Sequence, residues 1–172
     1  MSKTLVVIDV QNDYFADGSY PLWQAEAVAE RTKAAIEQAR RADIPVVLVQ
    51  HLADPAQGPS PFFVAGTEGA ALHASVQEVA PGAPVVEKAF ADAFEQTTLG
   101  DTLRGLGTTE LLLAGMMTQN CVTHTALSKA AEDYAVTVLP DLCTTVDEML
   151  HLIALHALST RVALTPAEVA LS

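Results

Sequence analysis

Three residues of this chain have the side chains for covalent chemistry, and each stands at or just beyond the end of an apolar run. Asp9 follows Thr4-Leu5-Val6-Val7-Ile8 in VVIDVQNDYF. Lys88 closes PVVEK, and it is the only Lys or Arg between Ala42 and Leu103. Cys121 lies in GMMTQNCVTHTA, residues 115–126, after Leu111-Leu112-Leu113-Ala114. A thiol, an ammonium and a carboxylate make a workable nucleophile set. The thiolate attacks, a nearby lysine lowers the thiol pKa, and the carboxylate acts as general base. Thr118 reads as an N-cap, which places Cys121 at N3 of the following helix. The partial positive charge and free N–H groups of a helix start favour a thiolate and can receive an oxyanion. Each residue also has a plain alternative: Cys121 as a small packed thiol, Lys88 as a lysine snorkelling to solvent, Asp9 as a turn or cap residue.

The other candidates are weaker. His51 with Asp54 offers too few ligands for a metal, and no second histidine lies at ligand spacing, so no metal is expected. His124 is three residues past Cys121, which makes a dyad conceivable, but a structural role fits its place a turn deeper in the helix. His73, His151 and His156 read as ordinary helix or loop residues. Cys143, in LPDLCTT, reads as packing. Gly105-Leu106-Gly107 lacks a third glycine and precedes a strand, the wrong context for a phosphate loop. A thiol-based redox sensor, with Cys143 resolving an oxidised Cys121, stands as a second reading. A non-catalytic assembly is a third.

The elements that must position these residues follow from the apolar pattern. Besides the runs before Asp9, Lys88 and Cys121, Pro45–Val49, Val136–Leu139 and Arg161–Leu164 read as strands. Most are continuously apolar, as expected of strands covered on both faces. Helical stretches are expected over Ala25–Ala42, Leu99–Leu106, Val122–Tyr134 and Val146–Ser159. The alternation gives βαβ units and a parallel sheet whose ligands bind beyond the strands' carboxyl ends. Ala53–Gly82, rich in Pro and Gly, is a long loop, and Phe62, Phe63 and Val64 give it something to bury as an ordered flap.

The chain has 172 residues, a length suited to one domain over 1–172. With 9 Lys+Arg against 21 Asp+Glu, the net charge is −12, which disfavours nucleic acid and anionic membrane as partners. No apolar run is long enough to span a bilayer. Half the residues are hydrophobic and the mean hydropathy is +0.27, which points to apolar surface buried between subunits. Met1-Ser2-Lys3-Thr4 leads straight into a strand without a cleavage site, so a cytoplasmic protein with reduced thiols is expected.

DVQNDYF after a first strand, an isolated lysine after a third and GMMTxxCV after a fourth together resemble the isochorismatase-like cysteine hydrolases. That superfamily includes nicotinamidases, N-carbamoylsarcosine and ureidoacrylate amidohydrolases and streptothricin-type hydrolases. The resemblance covers nearly the whole chain. It implies a Rossmann-like α/β/α fold with a six-stranded parallel sheet and an Asp9-Lys88-Cys121 triad. It also implies a cis peptide at Met116-Met117 and assembly into homo-oligomers. Nicotinamidases carry an Asp and His metal cluster after the second strand. Here Val49-Gln50-His51 lacks the acid, so no metal or other cofactor is expected. The expected reaction is hydrolysis of a small amide or ureido compound through a thioester. The oxyanion would sit on the Met117 and Cys121 amides, and the pocket wall would be drawn from Phe15, Trp23, Phe62, Phe90, Met117 and Thr118.

Overall fold

The continuous apolar runs become strands because both of their faces are covered. In the computed structural model, which describes residues 2–172, six strands form one sheet: β1 (Lys3–Ile8), β2 (Val46–His51), β3 (Val85–Lys88), β4 (Glu110–Met116), β5 (Ala135–Thr144) and β6 (Ala163–Leu164). Their order is β3-β2-β1-β4-β5-β6, with every neighbouring pair parallel. Successive side chains of a strand point to opposite faces. Leu5 and Val7 accordingly enter one core, with Leu48, Leu112 and Ala114, while Val6 and Ile8 enter the other, with Val47, Val49, Leu111 and Leu113. Burying each Leu or Ile contributes about 1.5–3 kcal/mol.

The helices supply the two covering layers. On the first face lie α1 (Ala25–Arg41), α2 (Ala74–Gln77) and α6 (Ala167–Ala170); on the second lie α3 (Leu99–Gly105), α4 (Thr123–Ala126) and α5 (Glu148–Leu158). In α1 the buried residues Ala25, Val28, Ala29, Thr32, Ala35, Ile36 and Ala39 recur at three- and four-residue spacing. Glu26 in the first turn and Arg40 and Arg41 in the last complement the helix dipole. Asp43 at φ 55° and Pro45 then end the helix and start β2. The result is the three-layer α/β/α fold with a six-stranded parallel sheet expected from sequence.

Two expected elements differ. The helix expected over Val122–Tyr134 is broken into a π turn at Thr118–Val122, the short α4, and a 3-10 turn at Lys129–Asp133. The break comes at Ser128, whose extended backbone and side chain, accepting from Ala130 N–H at 3.3 Å, cap a new turn. Strand β5 runs beyond Leu139 to Thr144. Leu113 pairs with Val138 but Gly115 with Cys143, so the extra residues around Pro140 are absorbed in a bulge.

The chain builds β1, β2 and β3 outward on one side and β4, β5 and β6 on the other. The order reverses between β1 and β4, and such switch points open a crevice at the strands' carboxyl ends. Asp9 and the Cys121 turn leave the sheet at this point. Gly115, at φ 126°, lets β4 pass Ile8 there: a Cβ on it would lie 2.0 Å from the Ile8 carbonyl oxygen. The substitution Gly115→Ala is therefore expected to lower the unfolding free energy by at least about 2–3 kcal/mol, as measured by urea denaturation.

Candidate active site

Asp9 follows β1 with a left-handed backbone (φ 53°), a conformation that aspartate tolerates better than branched residues do. Its side chain is fully buried. Lys88 ends β3 and is 3% exposed, and Cys121, in the π turn after β4, is also 3% exposed. The structure brings all three expected residues together. Lys88 Nζ is 2.9 Å from Asp9 Oδ2 and 3.3 Å from Cys121 Sγ. Asp9 Oδ1 has no hydrogen-bond donor in the protein.

The ammonium has two further neighbours. It donates to the Phe90 carbonyl at 3.0 Å and lies 2.8 Å from His51 Nδ1. His51 is thus a fourth member of the site, one that its sequence context gave little reason to include. Gln11 holds it there: its Nε2 donates to the His51 carbonyl at 2.8 Å, and its Oε1 accepts from the His51 N–H at 2.8 Å. The same Nε2 donates to Ala70 O at 2.8 Å, tying the loop to the site. The available signal for Gln11 was its place in the DVQNDYF motif.

The flap is ordered, as expected, and Asp13 fixes it. Its carboxylate accepts from Phe63 N–H at 2.7 Å and from Ser19 N–H at 3.1 Å. Gly69 packs so closely on this carboxylate that a Cβ would lie 2.2 Å from Oδ1. Phe63, 1% exposed, packs edge-on to Tyr14, with ring centroids 4.6 Å apart.

The expected pocket residues do not share one wall. Phe15 and Phe62 line a groove of about 670 Å³ with His73, whose ring stacks on Phe15 at 3.8 Å. Phe90 lines a separate cavity of about 270 Å³ with Lys88. Trp23 lies 5.9 Å from the His151 ring. Met117, which precedes the turn that holds Cys121, is buried, and the Met116–Met117 peptide is cis. Asp9 and Cys121 line neither groove.

Thr118 is not an N-cap. Its hydroxyl pairs with His151 Nδ1 at 2.8 Å, and the turn closes with Val122 N–H donating to Met117 O at 3.3 Å. That five-residue spacing makes a π turn, and the α-helix beyond has only four residues. The helix-terminus contribution to thiolate stability is correspondingly small. His151 is therefore a buried partner of Thr118 rather than an ordinary helix residue. His124 is exposed and pairs with the Asn120 carbonyl at 2.8 Å, consistent with a structural role.

Burial is the largest influence on the Cys121 thiol and pushes its pKa up; the Asp9 carboxylate adds to this, and Lys88 opposes both. The lysine pulls in the expected direction but is outweighed by burial and the carboxylate. Burial acts to lower Lys88, yet Asp9 and Cys121 hold it above its ordinary value, as an ammonium. Asp9, His51 and Cys121 present donor atoms within 4.8 Å of one another, the one such cluster among the described residues. A metal does not fit there. The Lys88 ammonium already lies within 3.3 Å of one atom of each, and a second cation would meet its full repulsion.

Comparison with known proteins places the chain in a family. Residues 3–168 match the isochorismatase domain, and the chain belongs to that family. It is a hydrolase of the isochorismatase family. It is 33% identical over 145 residues to streptothricin hydrolase of Streptomyces noursei, covering 84% of this chain but only 55% of that protein. It is 32% identical over 187 residues to ureidoacrylate amidohydrolase of Methylobacterium radiotolerans, covering 91% of this chain and 72% of the relative. A crystal structure from Oleispira antarctica assigned to the isochorismatase hydrolases superposes with a TM-score of 0.86 at 31% identity, covering 99% and 96% of the two chains.

The site also sets a pH response. His51, His73 and His151 are each held below the ordinary histidine value of 6.5, chiefly by burial. The unfolded chain therefore takes up these protons first as pH falls. Their contribution to stability is complete above about pH 6.5 and is lost below it. The urea midpoint is expected to drop between about pH 7 and pH 5.5, whereas a midpoint that rises over that interval would show that the folded histidines are charged.

Proposed function

We propose that the chain acts as one isochorismatase-like domain over residues 1–172 and hydrolyses a non-peptide C–N bond of a small amide or ureido compound through a Cys121 thioester. The observation that carries this reading is the buried Lys88 ammonium placed between the Asp9 carboxylate and the Cys121 thiol at the switch point of the sheet. The amidohydrolase among its relatives supports the bond type.

Asp9 takes the thiol proton as sulfur attacks the carbonyl carbon. The carbonyl π pair moves to oxygen, and the oxyanion is received by the Met117 and Cys121 N–H groups. When the intermediate collapses, the C–N bond breaks and the amine leaves with the proton from Asp9. Water then attacks the thioester and gives a proton to Asp9; the acid departs, and the proton returns to sulfur. Lys88 stays an ammonium throughout and offsets the negative charge as it passes from the Asp9 carboxylate through sulfur to the oxyanion and back. Phe90, which lines a cavity with Lys88, and Met117 and Thr118, at the turn that holds Cys121, are proposed as contacts for the substrate; Phe15 and Phe62 line a groove apart from Asp9 and Cys121. Thr118 contributes its backbone and methyl, because its hydroxyl is taken by His151.

A redox-sensing role for Cys121 and Cys143 has less support. Both are free thiols, but Cys143 is 2% exposed, donates to Leu139 O at 3.3 Å, and is pushed by burial up to about 12. It lacks the exposed, low-pKa character of a redox thiol.

We also propose a homo-oligomer located in the cytoplasm. Met149, Leu152 and Ile153 leave an apolar stripe along α5 exposed, and Val146 just before the helix adds to it, which supports association. Among the described residues no helix is long and apolar enough to cross a membrane. The acidic balance of the chain disfavours nucleic acid as a partner.

Screening small amides and ureido compounds by intact mass is expected to trap an acyl adduct on Cys121. Cys121→Ala should fold and lose all turnover, and Asp9→Asn should lower kcat by about 10²–10⁴. Full activity in Cys121→Ala would exclude the mechanism. Ile153→Glu is expected to shift the elution of the protein toward a smaller species in size-exclusion chromatography.

A further inference from the structure

Lys88 has more acceptors than protons. An ammonium donates three hydrogen bonds and accepts none. Within reach of Nζ lie His51 Nδ1 at 2.8 Å, Asp9 Oδ2 at 2.9 Å, the Phe90 carbonyl at 3.0 Å and Cys121 Sγ at 3.3 Å. Nδ1 must therefore present its lone pair, with the imidazole proton on Nε2.

We propose that His51 is a positioning residue: neutral, it accepts from Lys88 and, with the Phe90 carbonyl, fixes two of the three N–H bonds, so that the third is shared between Asp9 and Cys121. Two uncharged acceptors anchor the ammonium without adding negative charge to the site. When the proton crosses from sulfur to carboxylate, the negative charge crosses the other way. The shared N–H follows it by a small rotation and the anchors stay in place. His51 is itself fixed, because Gln11 holds its backbone at both the N–H and the carbonyl and its ring lies 5.8 Å from that of Phe63. The charged and titratable groups facing it are Lys88 from β3, Asp9 after β1 and Cys121 after β4. A proton on Nδ1 would remove the anchor and set a second cation against the first. Burial and Lys88 both act to keep that proton off.

The inference rests on the Asp9-Lys88-Cys121 reading, and its test separates the two. In protein labelled with ¹⁵N-histidine, NMR should find His51 Nδ1 bare and Nε2 protonated at neutral pH. Nδ1 carrying the proton would overturn the inference whatever the kinetics. Acetylation of Cys121 by p-nitrophenyl acetate, followed in a single turnover and located by peptide mass, gives the second readout. His51→Leu should slow it by about 10–100-fold, as expected for loss of one hydrogen bond to a charged group. His51→Asn, whose Oδ1 can replace Nδ1 as acceptor, should stay within about 3-fold of wild type and move the acid limb of the pH profile to lower pH. Wild-type rate and an unchanged profile in His51→Leu would overturn the inference and leave the hydrolase reading standing. Wild-type Cys121 that resists acetylation while Nδ1 is bare would remove the hydrolase reading and leave the anchoring of Lys88 intact. Should the Leu variant fail to fold, the Asn variant and the wild-type spectrum still decide.

Discussion

A lysine ammonium deprived of water must be given water's hydrogen bonds by the protein, and the carboxyl edge of this sheet is arranged to do so. An unpaired charge in an apolar interior is too costly to keep. Lys88 is kept because three strands deliver acceptors to one point: Asp9 from β1, His51 from β2 and Cys121 after β4, joined by the backbone of Phe90 just beyond Lys88 itself. The sheet order makes this possible, since the order reverses between β1 and β4, and β2 carries His51 in register with Lys88. Gly115 lets β4 come close enough to β1 to complete the set.

The same arrangement sets the influences on the Cys121 thiol. Burial and the carboxylate both act against a free thiolate, and one lysine does not offset the two. The turn and helix at Cys121 are also short, so little macrodipole is available there to favour a thiolate.

The long loop belongs to the site as much as the strands do. Gln11 and Asp13, two residues apart in the segment after β1, tie it down through Ala70 and Phe63. Asp9 and Asp13 thus have opposite uses within one short motif. The first keeps an oxygen free of donors, whereas the second has both oxygens committed to backbone N–H groups. A shared apolar cluster of Tyr14, Phe62 and Phe63 packs the loop over β1.

Sequence alone determined the layers and singled out Asp9, Lys88 and Cys121, which the fold brings together. Short continuous apolar runs bounded by Gly, Pro and polar residues suit strands covered on both faces, and α1 carries its buried stripe at helical spacing. A lysine isolated at the end of such a run, with a carboxylate and a thiol ending two others, was legible for the same reason: sheet topology places strand ends together. The packing of side chains across elements was decided only in three dimensions. The partnership of His51 with Lys88 spans 37 residues, and that of Thr118 with His151 spans 33. Neither leaves a local pattern, because a hydrogen bond between side chains depends on the position of each backbone and not on spacing along the chain. The bulge around Pro140, the break at Ser128 and the separation of Phe15 and Phe62 from Phe90 into different cavities have the same origin. In each case tertiary contacts outweighed a local preference of about a kilocalorie per mole or less.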